Sequence, residues 1–320
     1  MFYGFRIVLV SLALVMGIVP VTQAQRGSLA EQVNRGTVGI ISGGVNGTYI
    51  RIAADLSAVL DKDDLRVLSI IGKGSVQNVT DLLYLKGIDI AIVQSDVLEF
   101  MRRQNIYRNI DKKIDYIAKL YNEEFHILAK NTVSSLTDLA GKKVNFDGEK
   151  SGTAMTASIV FNTLDIAVEP TYYDQASALE KLRNDEIAAL VYVAGKPAQL
   201  FQNIGNDEGL RFLTIDYTPA LLETYLPTSL NNQDYPNLIP PGQEVNTLAV
   251  GAVMAVYHWT PENPRYKKVA RFINEYFEHF DDFLQPSRHP KWKEINLNAM
   301  VPGWTRFEVA KTWVERNAKP

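Results

Sequence analysis

Five short polar turns hold the residues of this 320-residue chain best suited to gripping a small molecule. They are Ser42-Gly43-Gly44-Val45-Asn46-Gly47-Thr48-Tyr49, Gly72-Lys73-Gly74-Ser75-Val76-Gln77-Asn78, Gln94-Ser95-Asp96, Glu149-Lys150-Ser151-Gly152-Thr153 and Tyr192-Val193-Ala194-Gly195-Lys196-Pro197. Glycine lets the backbone approach a ligand closely and adopt positive φ. The free N–H groups at a helix start attract anions. Serine and threonine hydroxyls add directional donors, so the chemistry on offer is recognition of a small, anionic organic molecule. The candidate contacts are Ser42, Gly43, Gly47, Thr48, Tyr49, Gly74, Ser75, Asn78, Gln94, Ser95, Lys150, Ser151, Gly152, Thr153, Tyr192 and Gly195.

Plainer roles compete at each position. A Gly-rich strand-to-helix turn forms without any ligand. Ser75 can cap the helix that follows it as well as touch a ligand, and Asp96 reads as a helix cap. Lys150 reads as a solvent-facing side chain. Tyr192 alternates with apolar neighbours, so it belongs either to the core or to a cleft. Lys73 and Lys150, if both face the ligand, favour a more anionic one.

Catalytic signatures are missing from the sequence. It has no His-Glu-x-x-His and no Gly-x-Ser-x-Gly. His126, His258, His279 and His289 are dispersed without metal-ligand spacing, and His126 reads as a satisfied strand residue. A degenerate dinucleotide fingerprint is disfavoured, because Arg66–Ile71 ends in Gly72-Lys73-Gly74 with no acid to take a ribose. Neither a cofactor nor a metal is expected, and no catalytic residue can be named.

The elements that must position these turns alternate strand and helix. Val38–Ser42, Arg66–Ile71 and Ile88–Val93 read as strands, separated by amphipathic helices over Tyr49–Leu60 and Val76–Leu85. Tyr116–Leu120 and Phe125–Ala129 read as two further strands. Lys143–Phe146, Tyr172–Tyr173 and Ala188–Val193 read as strands around helices from Ser151 to about Leu164 and over Gln175–Arg183. A strand and a helix follow between Phe212 and Tyr225, then a loop over Leu230–Gly242. Thr247–Val256 reads as a buried strand, and helices occupy Pro264–Phe283 and Arg306–Asn317. Each β-α-β-α-β run implies parallel strands joined by right-handed crossovers. The pattern predicts an α/β chain of two lobes, each a mostly parallel sheet flanked by helices, with hinge strands crossing near Glu124–Ala129 and Val245–Gly251. Residues 25–126 with 246–320 form the first lobe and residues 127–245 the second. Ligands of open α/β sheets bind beyond the carboxyl ends of the strands, where the polar turns fall.

Composition narrows the setting. Residues 1–24 carry a single charge, Arg6, and an apolar run over Ile7–Val19 too short to span a bilayer, with Thr22 and Ala24 at the small-residue positions of a cleavage site. This reads as a secretory signal; the alternative is an uncleaved N-terminal anchor. Its removal moves the formal net charge from −3 to −4. That mildly acidic balance, with no basic stripe, argues against nucleic-acid binding. With no cysteine, the chain has neither disulfides nor a lipidated Cys.

Taken in order, the turns are similar to the signatures of the TAXI family of TRAP-transporter solute receptors. Gly47-Thr48-Tyr49 resembles the end of that family's Gly-Gly-Thr-Tyr-Tyr turn, with Asn46 and Ile50 departing. Gly74-Ser75-Val76-Gln77-Asn78 resembles its Gly-Gly-Ser-Val-x-Asn, with Lys73 replacing the first glycine. Gln94-Ser95-Asp96 resembles its Gln-x-Asp, and Leu139-Ala140-Gly141-Lys142-Lys143-Val144 its Leu-Gly-Lys-x-Val stretch. Ser151-Gly152-Thr153 follows Lys150 where the family has glycine, and Ala194-Gly195-Lys196-Pro197 resembles its Ala-Gly-x-Pro. The likeness covers about Thr37 to Tyr257. It implies a periplasmic type II binding-protein fold, a hinge between lobes, a monomeric receptor located in the periplasm, an acidic small molecule such as an amino acid or dicarboxylate as ligand, and a membrane permease as partner. A sensor or scaffold on the same fold, serving a signalling partner, is the alternative.

Overall fold

The computed structural model describes Asn34, residues 36–62 and residues 64–317. The signal segment read at residues 1–24 and its cleavage site lie outside the described residues. No helix among the described residues is long and apolar enough to cross a membrane.

The strands are β1 (Thr37–Ile41), β2 (Arg66–Ile70), β3 (Ile90–Gln94), β4 (Ile114–Lys130), β5 (Lys143–Asn145), β6 (Glu169–Thr171), β7 (Ala189–Ala194), β8 (Leu210–Phe212), β9 (Leu226–Asn231) and β10 (Glu244–Tyr257). The helices are α1 (Thr48–Leu60), α2 (Ser75–Tyr84), α3 (Val97–Arg103), α4 (Gly152–Thr163), α5 (Gln175–Arg183), α6 (Gln199–Gln202), α7 (Pro219–Leu222), α8 (Pro264–Glu278) and α9 (Glu308–Asn317). The strands run in the order β2-β1-β3-β10-β4-β7-β5-β6, with β8 on β4 and β9 on β10. Two parallel sets, β2-β1-β3 and β7-β5-β6, sit at the ends. Antiparallel pairing through β10 and β4 joins them into one hydrogen-bonded path, not two separate sheets.

Both halves use the two faces of the strands in the same way. Successive side chains on a strand point to opposite faces. In the first half Ile92 and Met254 meet α1 and α8, while Ala91, Val93 and Val253 meet α2 and α3. In the second half Ile127 and Val191 pack under α4, and Leu128 and Leu190 under α5 and α6. Helix α1 buries Tyr49, Ile52, Ala53, Leu56 and Leu60, the i, i+3, i+4 stripe of a helix lying on a sheet. Helix α8 begins at Pro264, and the Asn263 side chain accepts the Arg265 N–H, which sets a sharp start.

Strands β4 and β10 belong to both halves. Residues 114–124 of β4 pair with β10, and residues 124–129 pair with β7. Strand β10 pairs with β9 over Glu244–Ala249 and with β3 over Ala252–Val256. Both strands change partners where Glu124 faces Ala249.

The two separate strands expected over Tyr116–Leu120 and Phe125–Ala129 are one strand of 17 residues. The polar stretch between them, Asn122-Glu123-Glu124, has the composition of a turn. It stays in the sheet because its carboxylates find partners: Glu124 accepts from Lys291 Nζ at 2.9 Å and from the Lys196 N–H at 2.7 Å, and Glu123 accepts from the Tyr49 hydroxyl. Strand β9 was not expected either. Its Pro227 suits an edge position, where a missing N–H leaves no ladder gap. The strand expected at Tyr172–Tyr173 lies just upstream, as β6.

Lys291 and Glu124 are both almost fully buried, and Lys291 also pairs with Glu294. Removing one member of a buried ion pair leaves an uncompensated charge. Lys291→Met is therefore expected to cost about 3–5 kcal/mol in urea unfolding, with Glu124→Gln added to Lys291→Met regaining part of it. A Lys291→Met loss below about 1 kcal/mol, the range of an exposed pair, would show that Glu124 does not depend on this partner.

Candidate functional site

Four helix N-termini converge on one cavity of about 190 Å³. From the first half come the starts of α1, at Thr48, and α2, at Ser75. From the second come the starts of α4, at Gly152, and α5, at Gln175. Each start follows a strand end across a short loop: α1 follows β1, α2 follows β2, α4 follows β5 and α5 follows β6. Thr48, Tyr49, Lys73, Ser75, Gln94, Glu123, Asp147, Ser151, Thr153, Asp174, Gln175 and Tyr192 supply polar groups to the lining, with glycine backbone at Gly43, Gly44, Gly47, Gly74 and Gly152.

The two halves touch beside the cavity through backbone that only glycine permits. Gly74 adopts φ 103°, and a Cβ there would sit 3.0 Å from the Gly152 nitrogen. A Cβ on Gly152 would fall 1.5 Å from Gln94 Oε1 and 2.7 Å from Ser75 Oγ. Around this approach, the Gln77 N–H donates to the Lys150 carbonyl at 3.2 Å, and Gln94 Nε2 donates to Thr156 Oγ1 at 2.9 Å. The Tyr225 hydroxyl donates to Asp96 Oδ2 at 3.1 Å.

The fold has counterparts. Residues 40–303 match the model of the NMT1-like family. The chain belongs to the NMT1-like family. Among solved structures it superposes on the periplasmic binding protein BugD with a TM-score of 0.53 at 13% identity, covering 88% of this chain and 93% of that one. A structure described as a periplasmic transporter gives a TM-score of 0.53 at 12% identity, covering 88% of this chain and 94% of the other. Likeness at this identity is one of fold, and the fold is the α/β type II periplasmic binding fold.

In this NMT1-like chain the cavity gathers eleven of the residues read from the sequence: Gly43, Gly47, Thr48, Tyr49, Gly74, Ser75, Gln94, Ser151, Gly152, Thr153 and Tyr192. The other five stand outside its lining. Ser42 donates from Oγ to the Ile70 carbonyl and ties β1 to β2. Asn78 is fully buried and bridges the carbonyls of Ser42 and Ile92. Ser95, one residue past Gln94, falls on the other side of the strand end by alternation, and its carbonyl accepts from Trp304 Nε1. Lys150 is exposed, so of the two lysines only Lys73 lines the cavity. Gly195 is buried against Lys291 and Tyr121.

Two helix-cap readings also change. Ser75 is the first residue of α2, and its Oγ exchanges hydrogen bonds with the Gln94 backbone N–H and Oε1 instead of capping. Asp96 occupies the cap position of α3, yet its carboxylate turns to Tyr225 and Thr156. Ser151 does cap α4, accepting the Ala154 N–H at 3.0 Å. His126 is a satisfied core residue: Nδ1–H donates to the Tyr192 carbonyl and the Tyr235 hydroxyl donates to Nε2, while burial drops its pKa to about 3.

Sequence reading missed Glu123, Asp147, Asp174 and Gln175. Two signals were available. Glu123-Glu124 interrupts a long apolar strand, and Asp147 follows a strand end as the polar residues of the other turns do. Burial pushes the Glu123 carboxyl up to about 8, reinforced by the charges of Glu124 and Asp96 and opposed by the Tyr49 hydrogen bond at 2.5 Å. Burial raises Asp147 to about 6. Hydrogen bonds from Ser177 hold Asp174, which is largely exposed, below the usual carboxylate range.

A carboxyl group whose folded pKa is raised contributes stability below its unfolded value near 4.5 and loses it as pH rises to about 8. Glu123→Gln is therefore expected to flatten the fall in melting temperature between those limits by several degrees. A wild-type and Glu123→Gln pair with parallel melting temperatures across that window would show that Glu123 does not carry this cost.

Proposed function

We propose that this chain is an extracytoplasmic solute-binding receptor of the TAXI kind, taking a small organic acid, an amino acid or a carboxylate, from outside the cytoplasmic membrane and delivering it to a TRAP-type permease. The carrying observation is that four helix N-termini, two from each half, face one small cavity. Each brings first-turn N–H groups that have no partner within the helix and the positive end of a helix dipole, of which Ser151 takes one at α4 and Asp174 one at α5. A carboxylate seated among them gains charge-assisted hydrogen bonds from both halves at once, so the ligand itself becomes part of the contact between them.

Residues 25–126 with 246–320 and residues 127–245 then act as two lobes, and β4 and β10 as the hinge where they change partners. The chain is read as a monomeric receptor. The ligand binds the closed arrangement better than the open one and shifts the population toward it. Contacts between the halves beside the cavity include hydrogen bonds and glycine backbone, which break with less cost than a continuous apolar core. The permease reads the closed surface. The ordered turns resembling the TAXI family support this partner.

The test is a melting-temperature screen of residues 25–320, stripped of carried-over ligand by unfolding and refolding, against amino acids, dicarboxylates, keto acids, aromatic acids and sugars. A ligand held only by the native state at about 100 times its Kd adds roughly 2.7 kcal/mol. A saturable shift with organic acids and none with sugars is expected. Gly152→Val, whose side chain meets Gln94 and Ser75, is expected to abolish the shift while keeping a cooperative transition. Folded wild-type protein that responds to nothing would move the weight to the sensor or scaffold reading.

A further inference from the structure

Asp96 is a carboxyl that no solute in the cavity reaches. It occupies the cap position of α3 in the first half, outside the cavity lining, and is 8% exposed. The side-chain hydrogen bonds to its carboxyl come from the second half. The Tyr225 hydroxyl donates to Oδ2 at 3.1 Å, and Thr156 Oγ1 donates to the same oxygen at 3.4 Å. Its Oδ1 is buried with no partner among the described residues. The groups facing it are Tyr225, Thr156 of α4 and the acid Glu123 of β4. Arg103 acts on Tyr225, and no cation pairs with Asp96 among the described residues. An ionised carboxyl in such a place, with one oxygen unanswered, is costly, and the group takes up a proton instead.

We propose that Asp96 is a proton-operated latch between the halves: joining them places a proton on its carboxyl, and acid shifts the chain toward the joined arrangement with no solute in the cavity. This rests on the two-lobe reading above. When the halves part, Tyr225 and Thr156 leave with the second half, and Asp96 meets water and ionises like an exposed carboxyl. On rejoining, a solvent proton at Oδ1 removes the charge while Oδ2 keeps both hydrogen bonds. Burial lifts the carboxyl to about 6 in the joined seam, against about 3.9 in water. The raised value belongs to the joined form. Its contribution is therefore complete below the ordinary value and is lost as pH rises through about 6. The raised carboxyls of the cavity lack this linkage. Glu123 is surrounded by Tyr49, Glu124, Lys291 and Asp96, all of the first half, and Asp147 by Gly148, Ser151 and Asp174, all of the second. Each keeps those neighbours when the halves separate.

The Gln77 amide reads the seam. It lies in the first turn of α2, where it has no partner within the helix, and it donates across to the Lys150 carbonyl. Its hydrogen exchange is measured by NMR on residues 25–320 stripped of solute, and divided by the rate of the unstructured chain at each pH. The quotient gives the ratio of joined to parted molecules. That ratio is expected to rise about tenfold from pH 7 to pH 5. Asp96→Asn, which keeps the shape and an acceptor for Tyr225, is expected to remove the rise. Tyr225→Phe, which takes away a donor that favours the ionised form, is expected to move the rise to higher pH, and it carries the test if Asp96→Asn does not fold. A ratio independent of pH in the wild type, an unchanged rise in both variants, or a Gln77 amide unprotected at pH 5 overturns the latch and leaves the receptor reading standing. A Gln77 amide that exchanges at every pH as slowly as the buried core of β3 overturns the two-lobe reading as well.

Discussion

Two consecutive carboxylates buried in the middle of one strand set the conditions for the rest of the molecule. Adjacent residues on a strand point to opposite faces, so Glu123 and Glu124 make their hydrogen bonds with different partners. Glu124 is answered by Lys291, which the short 3₁₀ turn Pro290–Glu294 carries into the core. That turn is anchored in its own right: Trp292 is fully buried, stacks on Phe283 at 4.2 Å, and donates from Nε1 to Asp55 on α1. Among the described residues, Glu123 takes its side-chain hydrogen bond from the Tyr49 hydroxyl, at the first turn of the same helix. Helix α1 thus supports both carboxylates, one directly and one through the turn packed against it. The point at which the sheet passes from one half to the other is consequently buried and charged.

That arrangement explains why the cavity lies where it does. Strand β4 carries the Glu123 side chain toward the starts of α1 and α2, and the change of partners at Glu124 brings β7, and with it Tyr192, alongside. Tyr192 lies close to Gly47, where a Cβ would stand 3.4 Å from its hydroxyl. The cavity is therefore enclosed by elements that are distant in sequence but adjacent through two long strands. A local description of any one turn cannot produce it.

The sequence made the elements legible where periodicity was strong. Helices α1, α2, α4 and α5 and the strands before the first three of them begin and end within a residue or two of the positions their apolar spacing and glycines indicate, while the short strand before α5 lies upstream of its expected place. Glycines 47, 74 and 152 were legible for the same reason, because a strand end followed by glycine and a hydroxyl has few local uses. What escaped was set by tertiary partners. Glu123 and Glu124 look like a turn until Tyr49 and Lys291, distant in the chain, are known to reach them. Ser75 and Asp96 have the side chains of helix caps, and their sequence positions are right for capping. Their hydroxyl and carboxylate are instead taken by Gln94 on the neighbouring strand and by Tyr225 in the other half. Propensity names what a side chain can do locally; the competing partner decides which option it takes.

The same competition bears on the contact between the halves. Asp96 is buried, its carboxyl raised to about 6 by desolvation despite the hydrogen bond from Tyr225, and its Oδ1 has no partner among the described residues. Thr156 sits between Gln94 and Asp96, accepting from one and donating to the other. A buried network that leaves one acceptor unanswered is worth less than a fully satisfied one, and a fully apolar seam would be harder still to separate. The first and second halves each keep their own apolar layers on both sheet faces, with Met155 of α4 buried in the first half's layer and Ile159 packed against both. The seam is held by a few directional bonds and by backbone approach at Gly74 and Gly152, both of which lose their strength over a small displacement. A contact of that kind favours two discrete arrangements over a graded one, and a ligand that adds bonds to both sides of it is placed to choose between them.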